Sequence, residues 1–345
     1  MVTSGLGLSR RGFLGGTVGA LAGAALAGAG AAVAGTTTTA TGVLTRDKLG
    51  VQLFSCIAAW EADGPETLSL LADIGYSYVE FAIGYGSASQ SDLATGRTGM
   101  SAKAFRKALD DNGLWCNAGH GPAAYPYDDK TWKQWVEDNL VIGTTYLGTN
   151  SAMPTTEAEA KKYVHDVHRA HDVARSMGYT GSQFNHLESW ASLVTGPKLF
   201  SWEYVARHTD REVWNMEFDG LAYNALGSVA KCIHYIRKYP GRWSLFHFKD
   251  LMPNVFLPDG SWEGGAPAEF GTGVFGLPDV ADPKGRPHAG FQDMLTAIRE
   301  TQHWDQVLII AEGETPTTLA GCADYTELAY KGLNGLRFPF RPRRR

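Results

Sequence analysis

From residue 48 onward, short β-rich runs alternate with longer amphipathic ones, and no other feature of the chain constrains its fold so tightly. Runs with strand character occupy 49–55, 76–82, 114–120, 145–152, 181–186, 213–220, 243–250 and 306–314. Helical patterns lie between them. "GPETLSLLADI" stops at Gly75 and "SAKAFRKALDDN" at Gly113, each suited to a helix C-terminus. Strict alternation implies parallel strands joined by right-handed crossovers. Eight such units fit a closed (β/α)8 barrel over residues 48–337. The competing open, doubly wound sheet normally carries a Gly-rich phosphate turn after its first strand, and none occurs here. Two connections are long, one after the fifth strand and one of about forty residues after the seventh. Loops of that length usually serve as lids or binding loops.

The N-terminus has a different character. Arg10 and Arg11 precede Phe13, Leu14 and a Gly/Ala-rich apolar run that ends in Ala32-Val33-Ala34. This is the pattern of a twin-arginine export signal with a small-residue cleavage site. The many Gly residues make it a poor membrane anchor. We expect a signal peptide over 1–34, a flexible leader over 35–47, the barrel over 48–337 and a basic tail over 338–345. The chain is thus expected to engage the twin-arginine export machinery and to act outside the cytoplasm. Its four Cys are widely separated, which argues against a structural zinc cage. They read as buried free thiols, although export permits a disulfide between some pair. A net charge of −5 argues against nucleic acid as a partner.

Polar residues at the strand ends carry the chemistry of such barrels. With period two, Glu217 and Asp219 share a face of the sixth strand, His247 and Lys249 a face of the seventh, and Glu312 and Glu314 a face of the eighth. Glu80, His120, and the pair Phe184 and His186, lie on earlier strands. Asp219, His247 and Glu312 fall at comparable heights on three consecutive strands. Two carboxylates and an imidazole in one barrel mouth need a compensating cation. Mixed oxygen and nitrogen donors suit Mn2+, Mg2+, Co2+, Fe2+ or Zn2+ and exclude a thiolate-type site.

Several motifs resemble the sugar phosphate isomerase/epimerase family of xylose isomerase-like TIM barrels. They are "LGVQLFS" followed by "GYSYVEFA", "EFDGLAYNALG", "KYPGRWSLFHFKDLM" and "FGTGVF". The resemblance spans nearly all of 48–337. It implies Asp219, His247 and Glu312 as metal ligands and a further acid on the fifth strand. There the chain departs, since Phe184 stands at the implied position. Either three protein ligands suffice, or Gln183, His186 or Glu188 supplies the fourth.

The chemistry implied is proton abstraction next to a sugar carbonyl, giving isomerisation, epimerisation or, by loss of a β-substituent, elimination. Glu312 and His186 are the expected bases, and Lys249 the cation for an enolate. Glu80, His120, Glu217 and Trp262 are expected to bind substrate. The chain shows no phosphate cradle, so a free sugar, keto-sugar or glycoside is the expected substrate. Two other readings remain open, a non-catalytic sugar-binding barrel and an abasic-site endonuclease-like barrel.

Overall fold

The computed structural model describes residues 44–82, 100–121, 129–149, 153–186, 199–253, 255–256, 262–263, 266–276, 290–313 and 316–336. The expected signal peptide and basic tail lie outside the described residues.

In chain order the elements are β1 (Leu49–Gln52), α1 (Ile57–Ala62), α2 (Gly64–Ile74), β2 (Tyr78–Ala82), α3 (Ala102–Asp111), β3 (Trp115–His120), α4 (Asp129–Ile142), β4 (Tyr146–Thr149), α5 (Glu157–Ser176), β5 (Ser182–His186), α6 (Ser201–Arg207), β6 (Trp214–Asp219), α7 (Ala222–Leu226), α8 (Val229–Lys238), β7 (Trp243–Phe248), β8 (Val255–Phe256), β9 (Trp262–Glu263), α9 (Phe291–Thr301), β10 (Leu308–Ala311) and α10 (Leu319–Gly335). The eight longer strands close into one parallel barrel in the order β1-β10-β7-β6-β5-β4-β3-β2. This is the expected (β/α)8 architecture. Two details differ from the sequence reading. The C-terminal half of the connection after β5 condenses into α6, with Trp202 and Val205 buried. The long connection after β7 contains an antiparallel hairpin, β8–β9.

Local sequence explains the joints. Asp63 caps α2 by accepting the Glu66 N–H at 2.9 Å, and Gly75 ends the same helix with φ +120°. Thr156 and Glu159 form a reciprocal capping box at α5. Two interior glycines make room for aromatic rings. A Cβ on Gly50 would lie 2.0 Å from the Tyr78 ring, and one on Gly148 would lie 2.5 Å from Phe184. Inward residues Tyr78, Ala118, Tyr146, Phe184, Leu245, Leu308 and Ile310 therefore pack as an apolar plug through the lower barrel.

The cysteines depart from the free-thiol expectation. Cys56, just before α1, is bonded to Cys322 in α10, while Cys116 and Cys232 are free and buried. The bond spans the seam where β1 pairs with β10, with Leu49 opposite Ile309. The sequence offered no local signal for it, because the partners are 266 residues apart.

Candidate metal centre

The plug is replaced by ionisable groups toward the C-terminal ends of the strands. β6, β7 and β10 run in adjacent register, with Asp219 opposite His247 and His247 opposite Ile310. Glu312 follows one residue beyond β10 and faces inward. Asp219, His247 and Glu312 are buried, and each offers a ligand atom within 4.8 Å of the others. His247 Nδ1 lies 3.4 Å from Asp219 Oδ2 and also contacts Glu312 Oε2. Asp219 Oδ1 is separately held by the Leu221 N–H at 2.6 Å. Lys249 places its ammonium 3.0 Å from Asp219 Oδ2 and 2.9 Å from Glu312 Oε1.

The other nitrogen of His247 faces a second group. Nε2 lies 3.2 Å from Glu80 Oε1 and 3.1 Å from Glu217 Oε1. His120 bridges the same two carboxyls, with Nε2 2.9 Å from Glu217 Oε2 and in contact with Glu80. Gln52 donates to Glu80 at 2.9 Å. The His120 and His247 rings stack at 5.5 Å between centroids. Glu80, His120 and Glu217, expected to bind substrate, are buried and tied to one another and to His247. Period two put each of them inside the barrel. It could not show that barrel closure brings β2 and β3 across to β6 and β7.

Four carboxyl groups thus meet two imidazoles and one ammonium in a water-poor space. The electrostatics follow. Burial opposes charge on His120, but Glu217 and Glu80 outweigh it and lift its pKa to about 10. His247 is raised well above the ordinary range for the same reason, with burial overcome by Glu217, Glu312 and Glu80. Burial would raise the Glu217 carboxyl, yet the two imidazoles hold it well below the usual range. Glu312 is lowered as well, with Lys249 and His247 overcoming its burial. Burial disfavours charge on Lys249, but Asp219 and Glu312 raise its pKa and keep it an ammonium.

A divalent ion fits Asp219, His247 and Glu312. They supply two carboxylates and an imidazole nitrogen converging on one point, and the position between Asp219 and Glu312 already accommodates the cationic head of Lys249. His247 would hold the ion through Nδ1, while its Nε2, near Glu217 and Glu80, would keep the outer support that fixes the tautomer of a metal-bound His.

The fifth strand resolves differently from the implied pattern. Phe184 is part of the apolar plug and meets the His120 ring edge-on at 5.8 Å. The β5–β6 register pairs Phe184 with Asn215 and His186 with Glu217, so residue 186 is the inward position level with the ionic cluster. Gln183 points out of the barrel and donates to Val167 O of α5 at 2.9 Å, which removes it as a ligand. The side chains of His186 and Trp262, and residues Glu188 and Glu314, lie outside the described residues.

Two motifs acquire structural reasons. Arg242 donates to Thr209 O and Trp214 O, both at 2.9 Å, and so locks the start of β7 to its neighbours. Asp250 accepts the backbone N–H groups of Leu251, Gly271, Gly273 and Phe275 at 2.9–3.1 Å. "FGTGVF" is thus wrapped around the carboxylate that ends "HFKD". A Cβ on Gly273 would lie 2.4 Å from Asp250 Oδ1, so only glycine fits there.

No protein-family model matches the chain, and no curated protein matches it. Solved structures do. A sugar phosphate isomerase/epimerase from Parabacteroides distasonis superposes with a TM-score of 0.61 at 18% identity, over 86% of this chain and 97% of that one. The zinc-bound IolI protein gives 0.53 at 16% identity, over 83% and 99%. The probable 3-DHS dehydratase AsbF of Bacillus anthracis gives 0.52 at 12% identity, over 84% and 99%. At these identities it is the fold that is shared: the chain adopts the (β/α)8 architecture of the xylose isomerase-like TIM barrels.

Proposed function

We propose that the protein is a divalent-metal-dependent isomerase or epimerase of a free sugar, keto-sugar or glycoside that works by removing a proton next to a carbonyl. The observation that carries this reading is the convergence of Asp219, His247, Glu312 and Lys249 at the C-terminal mouth of the barrel. A divalent ion held there would supply Lewis acidity to the substrate. Asp219, His247 and Glu312 would hold it, while Glu217 and Glu80 orient His247. Lys249 remains an ammonium and offsets negative charge that develops on a substrate oxygen. Glu312, with its lowered pKa, serves better as ligand than as base. His186, next on the inward row of β5, is the proton acceptor in this scheme. Trp262 is retained as a proposed substrate-binding residue.

A related carbon–oxygen lyase is the second reading. Phe184 leaves β5 without an acid at 184 for a two-base epimerisation, whereas elimination needs one base. The likeness in fold to the dehydratase AsbF is in keeping with it. We also propose export through the twin-arginine route. The Cys56–Cys322 disulfide supports an oxidising compartment.

The test is solvent exchange. Metal-loaded protein is incubated with a panel of keto-sugars and 3-keto-glycosides in D2O, and deuterium entering the α-carbon is followed by NMR. Incorporation that disappears in His186→Asn supports the scheme. No incorporation across the panel would leave the non-catalytic sugar-binding barrel as the better account.

A further inference from the structure

A cavity lies at the end of the barrel opposite the metal centre, among the N-terminal ends of the strands. Its volume is about 540 Å3, in the range of small-molecule sites. The apolar plug of Tyr78, Phe184, Leu245 and Ile310 separates it from the metal centre. Three features distinguish it from an incidental dent.

The first is Trp115, the opening residue of β3, which lines the cavity. It is 53% exposed, whereas Trp60, Trp132, Trp135, Trp202, Trp214 and Trp243 are buried in the core. The second is Asn215 of β6, which also lines it and is only 3% exposed. Its Nδ2 donates to Ser182 Oγ at 2.8 Å. Its Oδ1 has no hydrogen-bond partner among the described residues. A buried carbonyl without a donor is costly and calls for one. The third is charge. Lys48, Arg175 and Arg211 share the lining with Asp47, Glu212 and Asp305, so the formal charges cancel. All three cations are already engaged, Lys48 with Asp305 O at 2.8 Å, Arg175 with Thr180 O at 2.9 Å and Arg211 with Gln306 Oε1.

We propose that this cavity binds a neutral polyhydroxylated ring of hexose size. Its apolar C–H face lies on Trp115, one hydroxyl donates to Asn215 Oδ1, and the remaining hydroxyls meet the mixed-charge rim. A charged ligand would find no unbalanced counter-ion. A purely apolar ligand would leave Asn215 Oδ1 unsatisfied. The site uses no residue of the metal centre and stands independently of the catalytic reading.

The experiment is saturation-transfer difference NMR on the full chain, titrated with methyl β-glucopyranoside. It is run on wild type, Trp115→Ala and Glu312→Gln, each checked for fold by circular dichroism. Trp115 is exposed, so its truncation leaves the core intact. The proposal expects saturable binding in wild type, at least about tenfold weaker in Trp115→Ala and within about twofold of wild type in Glu312→Gln. Absence of saturable binding in wild type overturns it. So does binding that survives Trp115→Ala, which together with loss in Glu312→Gln would put the sugar at the metal centre only, and so does equal loss in both variants, which would show no dependence particular to Trp115.

Discussion

Lys249 Nζ lies 3.0 Å from Asp219 Oδ2, and the same ammonium reaches Glu312 Oε1 at 2.9 Å. A lysine therefore stands between two of the groups assigned to a metal. Both cations answer to the same carboxylates, so they compete in part. Lys249→Met removes the competitor and also leaves buried carboxylates uncompensated. We predict that the metal-free variant is destabilised by about 3–5 kcal/mol and that divalent metal restores most of the loss. Thermal unfolding with and without Mn2+ reads this out. A variant that is equally destabilised with and without metal would show that the lysine and the ion do not share the site.

Metal affinity should fall as pH is lowered. Burial opposes charge on His120 and His247, yet the surrounding carboxylates keep both imidazoles protonated, His120 up to about pH 10. An ion taking Nδ1 of His247 must displace a proton, so each unit of pH lowered costs up to about tenfold in affinity per proton released. The linkage to stability runs the other way for the metal-free fold. Raised folded-state values stabilise it fully below about pH 6.5, the unfolded value, and this contribution is lost as pH rises toward the folded values. Calorimetric titration of Mn2+ between about pH 6 and pH 8 tests the first statement, and a flat affinity would contradict it.

Acid should loosen the contact between α6 and α8. Burial works against ionisation of Glu203, but Lys238 Nζ at 2.7 Å, the Tyr239 hydroxyl and the Phe200 N–H at 3.0 Å outweigh it and lower the pKa. A depressed carboxyl stabilises the fold above about pH 4.3, its unfolded value, and the contribution disappears as pH falls through the folded value. Glu203→Gln should lose about 1–2 kcal/mol at neutral pH, after allowance for the solvent screening of Lys238. Denaturant melts of both proteins at neutral and acid pH measure it. The gap between them should narrow in acid.

The disulfide makes a simple count. Alkylation of the unreduced, denatured chain should modify two thiols, Cys116 and Cys232, and four after reduction. The bond closes a loop across a sequence separation of 266 residues at the β1–β10 seam, so Cys56→Ser with Cys322→Ser should cost about 2–5 kcal/mol. Four alkylated thiols without reductant would refute the pairing.

The barrel was legible because its evidence is local. Each strand is a short β-rich run and each helix an amphipathic one with its own stop. Asp219, His247 and Glu312 were legible because they sit on neighbouring strands, where period two and strand length suffice to bring them level. The support of His247 by Glu80, Glu217 and His120 was not, since it crosses the barrel. Nor was the place of Phe184. Motif alignment set it beside the ligands, whereas the β5–β6 register lowers it into the apolar plug and leaves residue 186 level with Glu217. Cys56 and Cys322 meet only because the chain's first and last strands pair.

The proposed chemistry depends on Asp219, His247 and Glu312 holding an ion. The most direct measurement is elemental analysis of the purified protein after reconstitution with Mn2+ or Zn2+, beside Asp219→Ala and His247→Ala. We predict about one metal per chain in the wild type and a loss in both variants that remain folded by circular dichroism. No stoichiometric metal in the wild type, or full retention in both variants, would contradict it.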